Sequence, residues 1–269
     1  MTGMKKYVHG YSEKESQRLH DQAGVLDDLL HSDSIFPPHS RVLEAGCGVG
    51  SQTRIMALKN PDCRFVSIDI ADESLRRAEA LIDRLGIDNV CFQPGDINDL
   101  DFPDGYFDDV VVCFVLEHLA DPVTALKNLK RVLKKNGSIM VIEGDHGSTY
   151  FHPDSQAARN AIDCQVRLQA AHGGNALIGR QLYPLLCRSG FSACRISPRM
   201  VYVDSSRPEW VDGFTRKTFT AMIEGVEKEA LQSRLITPQE WKLGIQDLYR
   251  TTQDDGVFCY TFFKATAIH

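Results

Sequence analysis

Hydrophobic and polar positions along this chain follow two rhythms: the spacing of amphipathic helices and the short apolar runs of buried strands. The helical spacing comes first. Within residues 11–31, apolar side chains recur on one face and charged residues fill the other. Two consecutive prolines, Pro37 and Pro38, then break the chain. We therefore predict a separate helical N-terminal segment over residues 1–40.

From residue 41 onward, strand-like runs alternate with helical patterns. The strand-like runs are Arg41–Ala45, Arg64–Ile70, Asn89–Gln93, Asp108–Val115 and Ser138–Glu143, and the helical patterns are Ser51–Lys59, Glu73–Leu85 and Pro122–Leu133. The run Asp108–Val115 is almost continuously apolar, as expected for a strand that is covered on both faces of a parallel sheet. This alternation predicts an α/β fold with a doubly wound, mostly parallel sheet.

Two stretches after Gly144 interrupt the alternation. Residues 145–180 and 205–254 carry helical patterns of their own, and Thr237-Pro238-Gln239-Glu240 has the form of a capping box. The last strand-like runs, 192–203 and 256–267, predict an antiparallel hairpin at one sheet edge. We predict one domain over residues 41–269 with helical insertions at about 145–180 and 205–254. Both should lie over the carboxyl ends of the strands, where such sheets bind ligands.

The charge balance limits the partners of the chain. Its 269 residues include 30 Lys and Arg against 36 Asp and Glu, which gives a net charge of −6. Nucleic-acid binders usually present a basic stripe. The nearest equivalent here is better explained as the solvated face and last turn of one helix, and consists of Lys127, Lys130, Arg131, Lys134 and Lys135. We expect no nucleic-acid partner.

Cysteine use and hydropathy give an expected location. None of the eight cysteines forms a C-x-x-C pair, so we expect no zinc or redox motif. Several lie inside apolar runs, which suits a reducing compartment. The N-terminus lacks the apolar core of a signal peptide, and no run approaches the roughly 18 apolar residues of a membrane span. We predict a cytoplasmic chain without a membrane partner; its oligomeric state is not readable.

The strongest chemical signal is the segment VLEAGCGVGSQT at residues 42–53. Its three glycines, at positions 46, 48 and 50, stand between a strand and a helix, where glycine permits a tight turn and close approach of backbone to a ligand. Asp69 closes the next strand, where a carboxylate can accept hydrogen bonds from both ribose hydroxyls. Asp96, within Gly95-Asp96-Ile97 after the third strand, is placed to meet an adenine. The three elements predict a nucleoside site.

A dinucleotide is the first alternative ligand. Its fingerprint, G-x-G-x-x-G, requires glycine where this chain has Ser51. Glu44 also stands beside the loop, and a carboxylate there would repel a pyrophosphate but tolerate an amino group and a positive sulfur. Charge therefore favours S-adenosylmethionine over a dinucleotide.

With EAGCGVG, Asp69, the GDI at 95–97 and FDDVVVCFVLEHLADP, the chain resembles the class I, Rossmann-like family of S-adenosylmethionine-dependent methyltransferases. The resemblance covers about residues 41–144 and, more loosely, the closing strands. LEHLADP followed by LKRVLKKNGSIMVIE is similar to the small-molecule branch, which includes quinone-biosynthesis methyltransferases. The resemblance implies a seven-stranded sheet with the last strand antiparallel, S-adenosylmethionine as cofactor and S-adenosylhomocysteine as product.

The same resemblance implies cofactor contacts, residue by residue. Glu44, Gly46 and Gly48 would border the methionine part, and Asp69 would hold the ribose. The remaining contacts would be Ile70 beside the adenine, Asp96 at its amino group, Ile97 on the ring, and the backbone of Phe114 near the sulfonium.

Related enzymes often fold an N-terminal segment over the cofactor as a lid. Here that segment would be residues 1–40, with Tyr11 at the entry to the first helix and Arg18 on its polar face. An arginine at that place could meet the methionine carboxylate. The alternative is an amphipathic helix with a solvated arginine.

Two histidines are candidate catalytic bases. His118 follows the fourth strand, near the expected position of the reactive methyl group, although a structural histidine at a helix start is the alternative. His146 lies in EGDHGSTYFHPD, residues 143–154, which concentrates titratable groups after the fifth strand. The spacing of these groups matches no standard metal site, so we expect acceptor binding, proton removal or loop structure there, and no metal.

The sequence thus predicts a methyltransferase whose acceptor is a small molecule that reacts through O, N or C. Three other hypotheses remain open: an RNA or protein methyltransferase, a non-catalytic cofactor-binding protein, and a nicotinamide-dependent oxidoreductase. The five apolar residues Trp210, Phe214, Phe219, Met222 and Trp241 fit an acceptor pocket but are better explained as core.

Overall fold

The computed structural model describes residue 24 and residues 26–269, and seven strands of this part form one sheet in the order β3-β2-β1-β4-β5-β7-β6. The strands are β1 (Arg41–Ala45), β2 (Arg64–Asp69), β3 (Val90–Pro94), β4 (Phe107–Cys113), β5 (Leu133–His152), β6 (Ser192–Asp204) and β7 (Val257–Ile268). The pairs among β1 to β5 are parallel, and one strand of the sheet is antiparallel. The predicted fold class is confirmed.

Helices separate most of the strands. They are α1 (Ser51–Lys59), α2 (Asp72–Arg84), α3 (Pro122–Val132), α4 (Gln156–Ala171), α5 (Leu182–Arg188), α6 (Pro208–Trp210), α7 (Ala221–Glu224), α8 (Glu227–Gln232) and α9 (Pro238–Arg250). A π-helix, Val211–Thr220, joins α6 to α7, and short 3₁₀ turns cover Leu116–His118 and Ile178–Gln181. No helix in the described part of the chain is long and apolar enough to cross a membrane.

The centre of the sheet has the burial that the apolar runs predict. Val110, Val111 and Val112 of β4 are fully buried, because β1 and β5 flank the strand and helices cover the sheet. In register, Leu43 of β1 lies opposite Val110. Continuous apolar sequence is therefore the local signature of a strand with no solvent-facing side.

Helix ends follow capping chemistry. The side chain of Asp121 accepts a hydrogen bond from the Thr124 backbone N–H at the start of α3, and Thr237 does the same for Glu240 at the start of α9. The predicted cap at Thr237 is confirmed. The carboxylate of Glu240 does not complete the box but accepts a hydrogen bond from Asn160 of α4.

Several predicted element boundaries were wrong. β5 continues to His152, so residues 145–152 are strand and not the start of a helical insertion. The Ser148 hydroxyl of this extension accepts the Thr261 N–H of β7 at 2.9 Å. Residues 205–254 are largely helical, as predicted, and the chain breaks at Gly225 between α7 and α8.

The described chain divides into two compact units. The first comprises residues 26–144, 178–199 and 263–269, and the second comprises residues 145–177 and 200–262. Most of the predicted lid lies outside the described residues, so its separation from the domain at residue 40 stays a prediction.

A buried hydrogen-bond chain fixes residues 30–34 in the first unit. Lys264 Nζ donates to the Leu30 carbonyl at 3.0 Å and to the Ser34 hydroxyl at 2.9 Å. His31 Nδ1 lies 3.0 Å from that hydroxyl, and His31 Nε2 lies 2.7 Å from Gln52 Oε1 of α1. The amide oxygen of Gln52 can only accept, so His31 Nε2 carries a proton and donates it.

Burial lowers the pKa of His31 to about 4. A histidine pKa that is lower in the folded state stabilises the protein above the unfolded pKa of about 6.5, and this stabilisation is lost as the pH falls. Between pH 6.5 and pH 5 this contribution falls by about 1.6 kcal/mol, because the slope approaches about 1.4 kcal/mol per pH unit only below the unfolded pKa, and we expect His31→Gln to lack it. Urea unfolding of both proteins at the two pH values measures it. His39→Asn, at an exposed histidine, is the control and should retain the wild-type pH dependence.

Candidate functional site

The loop between β1 and α1 is built on three left-handed glycines. Gly46, Gly48 and Gly50 have φ values of 82°, 54° and 79°. The N–H groups of Gly46 and Cys47 donate to the Ile68 carbonyl at 2.8 and 2.9 Å, which ties the loop to β2. The sequence therefore folds here into a tight turn that only glycine adopts without strain.

The three glycines are needed for different reasons. A Cβ on Gly46 would lie 2.4 Å from Val115 Cγ2, and a Cβ on Gly50 would lie 3.0 Å from the Ala78 Cβ. At Gly48 a Cβ would meet no atom of the described residues within 4 Å. The lack of a side chain at Gly46 and Gly50 therefore lets neighbouring residues pack against the loop, whereas Gly48 leaves a stretch of loop backbone that faces open space.

Asp69, the last residue of β2, contacts that stretch of backbone. Its Oδ2 accepts the Gly48 N–H at 2.8 Å, and its Oδ1 accepts the Ala71 N–H at 2.9 Å. Each carboxylate oxygen can accept a second hydrogen bond. The next residue, Ile70, has 69% of its side-chain surface exposed, which is common for a single apolar residue and carries little weight alone.

Asp96 and Ile97 form a turn after β3. Asp96 Oδ1 accepts hydrogen bonds from the backbone and side-chain amides of Asn98, at 2.8 and 2.9 Å. Ile97 is buried in the apolar core together with Leu100. The turn therefore presents a fixed carboxylate, while most of the Ile97 surface already packs against the protein.

The turn after β4 has strained backbone. Phe114 has φ 59°, a left-handed conformation that costs a non-glycine residue of order 1 kcal/mol or more. Its N–H donates to the Ile142 carbonyl of β5 at 2.9 Å, and the Leu116–His118 turn follows directly. Such strain persists only where neighbouring contacts enforce it.

Glu143 enforces the conformation of this turn. Its Oε1 accepts the N–H groups of Val115 and Leu116, at 3.0 and 2.7 Å. Its Oε2 is buried and has no hydrogen-bond partner among the described residues. Burial, and secondarily the charge of Glu117, raise the pKa of Glu143 well above its ordinary value. In the sequence, Glu143 belongs only to a cluster of polar residues, and no local pattern predicts this role.

Glu44 is turned into the protein. The hydroxyls of Thr53 and Ser67 both donate to its Oε2 at 2.7 Å, so the carboxyl group joins β1 to α1 and β2. Burial raises its pKa to about 7. The raised pKa favours the neutral form of Glu44, which weakens the argument that its charge repels a pyrophosphate.

The two candidate bases have different surroundings. His118 is in the first unit, with its Nε2 3.7 Å from Glu117 Oε1. His146 is in the second unit, buried, with Nδ1 3.2 Å from the Tyr260 hydroxyl and Nε2 3.4 Å from Met222 Sδ. The structure thus brings His118 into the same unit as the glycine loop, Asp69, Asp96 and Phe114.

The apolar residues of the second unit pack as core. The ring centroid of Phe219 lies 4.7 Å from that of Phe258 and 5.5 Å from that of Tyr260, and Phe214 joins the same cluster. Trp241 is buried as well, whereas Trp210 is half-buried. The core interpretation of Phe214, Phe219 and Trp241 is confirmed.

Two predicted residues, Tyr11 and Arg18, lie outside the described residues. Among residues 26–269, no group of three or more His, Cys, Asp or Glu side chains is placed to hold a metal ion.

The family profile described as "Methyltransferase domain" matches residues 37–183, more than half of the chain. The chain belongs to this methyltransferase family. It is a class I domain with S-adenosylmethionine as its cofactor.

Three curated relatives show the range of the family. An uncharacterized 37.1 kDa protein in transposon TN4556 of Streptomyces fradiae is 32% identical over 76% of this chain and 62% of its own length. The 27-O-demethylrifamycin SV methyltransferase of Amycolatopsis mediterranei is 30% identical over 83% of this chain and 77% of its own. An uncharacterized methyltransferase of Schizosaccharomyces pombe is 36% identical over 53% of each chain. The chain thus spans only 62% and 53% of two of these relatives.

Solved structures share the fold at low sequence identity. YcgJ of Bacillus subtilis has a TM-score of 0.58 at 16% identity, over 93% of this chain and 98% of its own. A methyltransferase-like protein of Bacillus halodurans has a TM-score of 0.59 at 16% identity, over 91% of this chain and 97% of its own. The [4+2]-cyclase SpnF has a TM-score of 0.54 at 19% identity, over 92% and 80%.

The described residues fit the cofactor. At Gly48 the loop backbone faces open space, and the Asp69 carboxylate contacts the N–H of that same residue. A backbone that a ligand can approach beside a carboxylate with spare acceptor capacity suits a ribose.

Gly46 should be intolerant of any side chain for steric reasons. Gly46→Ala places a methyl group against Val115 in a left-handed backbone, and we expect it to lower the free energy of unfolding by about 2–4 kcal/mol. The double variant Gly46→Ala/Val115→Ala removes the clash and should be less destabilised than the sum of its single variants. Denaturant unfolding of the four proteins measures both effects, and strict additivity would contradict the steric explanation.

Proposed function

We propose that this domain transfers a methyl group from S-adenosylmethionine to a small-molecule acceptor. The observation that carries the proposal is the Gly48–Asp69 contact beside open space at the carboxyl ends of β1 and β2. Relatives support it through their names. One acts on 27-O-demethylrifamycin SV, one is an ajmaline N-methyltransferase of Rauvolfia serpentina, and one is a ubiquinone/menaquinone C-methyltransferase of Ectopseudomonas mendocina. Since these names cover O, N and C acceptors, the acceptor atom stays open.

The proposed cofactor contacts are those of the first unit. Asp69 binds the ribose hydroxyls with the acceptor capacity that its two backbone contacts leave. Asp96 accepts the adenine amino group, with Ile70 and Ile97 on the ring. The methionine part lies along Gly46, Gly48 and the backbone of Phe114. Glu44 supports this loop from the protein interior, where its carboxyl group accepts hydrogen bonds from Thr53 and Ser67.

His118 is the better candidate for proton removal. When bound, the cofactor supplies an electrophilic methyl group on a sulfonium, and the acceptor proton must leave as the methyl group is transferred. Glu117 Oε1 lies 3.7 Å from His118 Nε2, and His118 shares the first unit with the glycine loop and Phe114. His146 instead faces the Tyr260 hydroxyl and the Met222 sulfur inside the second unit.

A second candidate function is a reaction other than methyl transfer. The fold of a [4+2]-cyclase overlays this chain, so the fold alone does not determine the chemistry. A cofactor that binds without ever losing its methyl group would support this alternative.

Cofactor binding is tested at two matched glycines. Gly48 and Gly86 both have positive φ, and a Cβ at either would meet no atom within 4 Å, so alanine causes similar backbone strain at both. We expect Gly48→Ala to weaken S-adenosylhomocysteine binding at least tenfold, about 1.4 kcal/mol, and Gly86→Ala to change it less than twofold. Calorimetric titration measures both, with NAD as the control ligand. Equal affinities of the two variants, or preference for NAD, would remove the proposed site.

Turnover is tested with methyl-labelled S-adenosylmethionine and a panel of phenols, amines and quinols, beside an RNA and a peptide control. Transfer to a small molecule alone supports the proposal, and transfer only to RNA or peptide overturns it.

With the acceptor found, we expect His118→Gln to lower kcat about 10²-fold or more and to flatten its pH profile, because a general base contributes about that factor. The affinity of His118→Gln for S-adenosylhomocysteine should stay within twofold of the wild-type affinity. Wild-type kcat in this variant would exclude His118 as the base.

A further inference from the structure

Two cysteine sulfurs lie close together at the surface of the first unit. Cys187, in the last turn of α5, has its Sγ 4.0 Å from the Sγ of Cys194, near the start of β6. Both thiols are reduced. Seven positions separate the two residues, so no short cysteine motif reveals the pair in the sequence.

The backbone between the two residues holds the sulfurs together. Gly190 has φ 83°, and its N–H donates to the Cys187 carbonyl at 3.0 Å, which ends α5 in a left-handed turn. Ala193 has φ 50°, a second left-handed residue, directly before Cys194. The hydrogen-bonded turn and the kink reverse the chain, so the proximity of the thiols is built into the backbone.

The pair is accessible to reagents. Cys187 is exposed and Cys194 is half-buried, whereas five of the other six cysteines are buried: Cys47, Cys63, Cys113, Cys164 and Cys259. Burial, and secondarily the hydrogen bond with Cys187, raise the pKa of Cys194. Cys187 is the more exposed of the two thiols, so it is the sulfur that meets an oxidant first.

We propose that Cys187 and Cys194 form a dithiol modification site, which a hydroperoxide oxidises to an intrachain disulfide. Hydrogen peroxide transfers one oxygen to the Cys187 sulfur, which gives a sulfenic acid and releases one water. The Cys194 sulfur then attacks the Cys187 sulfur, the S–S bond forms, and the hydroxyl leaves with the Cys194 proton as a second water. Two thiols and one peroxide give one disulfide and two waters, and an external dithiol reverses the oxidation.

Formation of the bond needs only a small movement. An S–S bond is about 2.05 Å long, so side-chain rotation has to bring the sulfurs about 2 Å closer. The disulfide would close the α5–β6 connection and tie the edge strand β6 to α5. It lies apart in sequence from every residue of the proposed cofactor site, so cofactor affinity provides an independent check.

Trypsin makes the test direct because Arg188 separates the two cysteines. Cleavage after Arg180, Arg188 and Arg195 releases peptides 181–188 and 189–195, each with one thiol. After treatment of the full chain with hydrogen peroxide, we expect these peptides to appear linked, two hydrogen masses below their sum, and to separate on reduction with dithiothreitol. Non-reducing electrophoresis must show a monomer, because a dimer would mean that the link joins two chains.

Three variants sharpen the test. Cys91→Ser removes the other exposed cysteine and should leave the linked peptide unchanged. Cys187→Ser and Cys194→Ser should each abolish it, and each should also lose the tight, dithiol-reversible capture of phenylarsine oxide that the wild type shows. S-adenosylhomocysteine affinity of the oxidised protein should stay within twofold of the reduced protein. Unlinked peptides, or Cys187 oxidised to a sulfinic acid while Cys194 still alkylates, would overturn the proposal.

Discussion

The site depends on one steric constraint: the loop after β1 passes so close to the turn after β4 that residue 46 cannot carry a Cβ. The side chain of Val115 fills the space that a Cβ on Gly46 would need. This contact sets the path of the loop, so Gly48 presents its backbone outward and Asp69 can accept its N–H. A ligand site at the carboxyl ends of adjacent strands follows from packing, before any ligand contact is considered.

Buried carboxyl groups stabilise both sides of this contact. The carboxyl group of Glu44 joins β1, the strand before the loop, to α1, the helix after it. Glu143 accepts the N–H groups of Val115 and Leu116 and so fixes the turn after β4. Both have raised pKa values because burial disfavours the charged form. Since the folded pKa of Glu44 is about 7, its stabilisation is present below the unfolded value of 4.5 and is lost as the pH rises to 7. His31 acts in the opposite direction over nearly the same pH range, so the two effects offset each other in the wild type.

The sequence was sufficient where the information is local. Glycines between a strand and a helix predict the loop, and a continuously apolar run predicts the central strand, because neighbouring residues determine both. Glu143 could not be assigned in this way, since its role depends on β5 lying beside β4. The proximity of Cys187 and Cys194 depends on the left-handed backbone of Ala193, which no residue pattern predicts. The length of β5 was missed because its polar residues are satisfied by β7, more than 100 positions later.

The two units differ in the residues that they contain. Every described residue of the proposed cofactor site, from Glu44 to Phe114, is in the first unit, and the family profile covers most of that unit. The second unit contains His146 and an aromatic core that packs tightly around Tyr260. A core packed in this way is rigid, so substitutions inside it, such as Phe219→Leu, act first on stability.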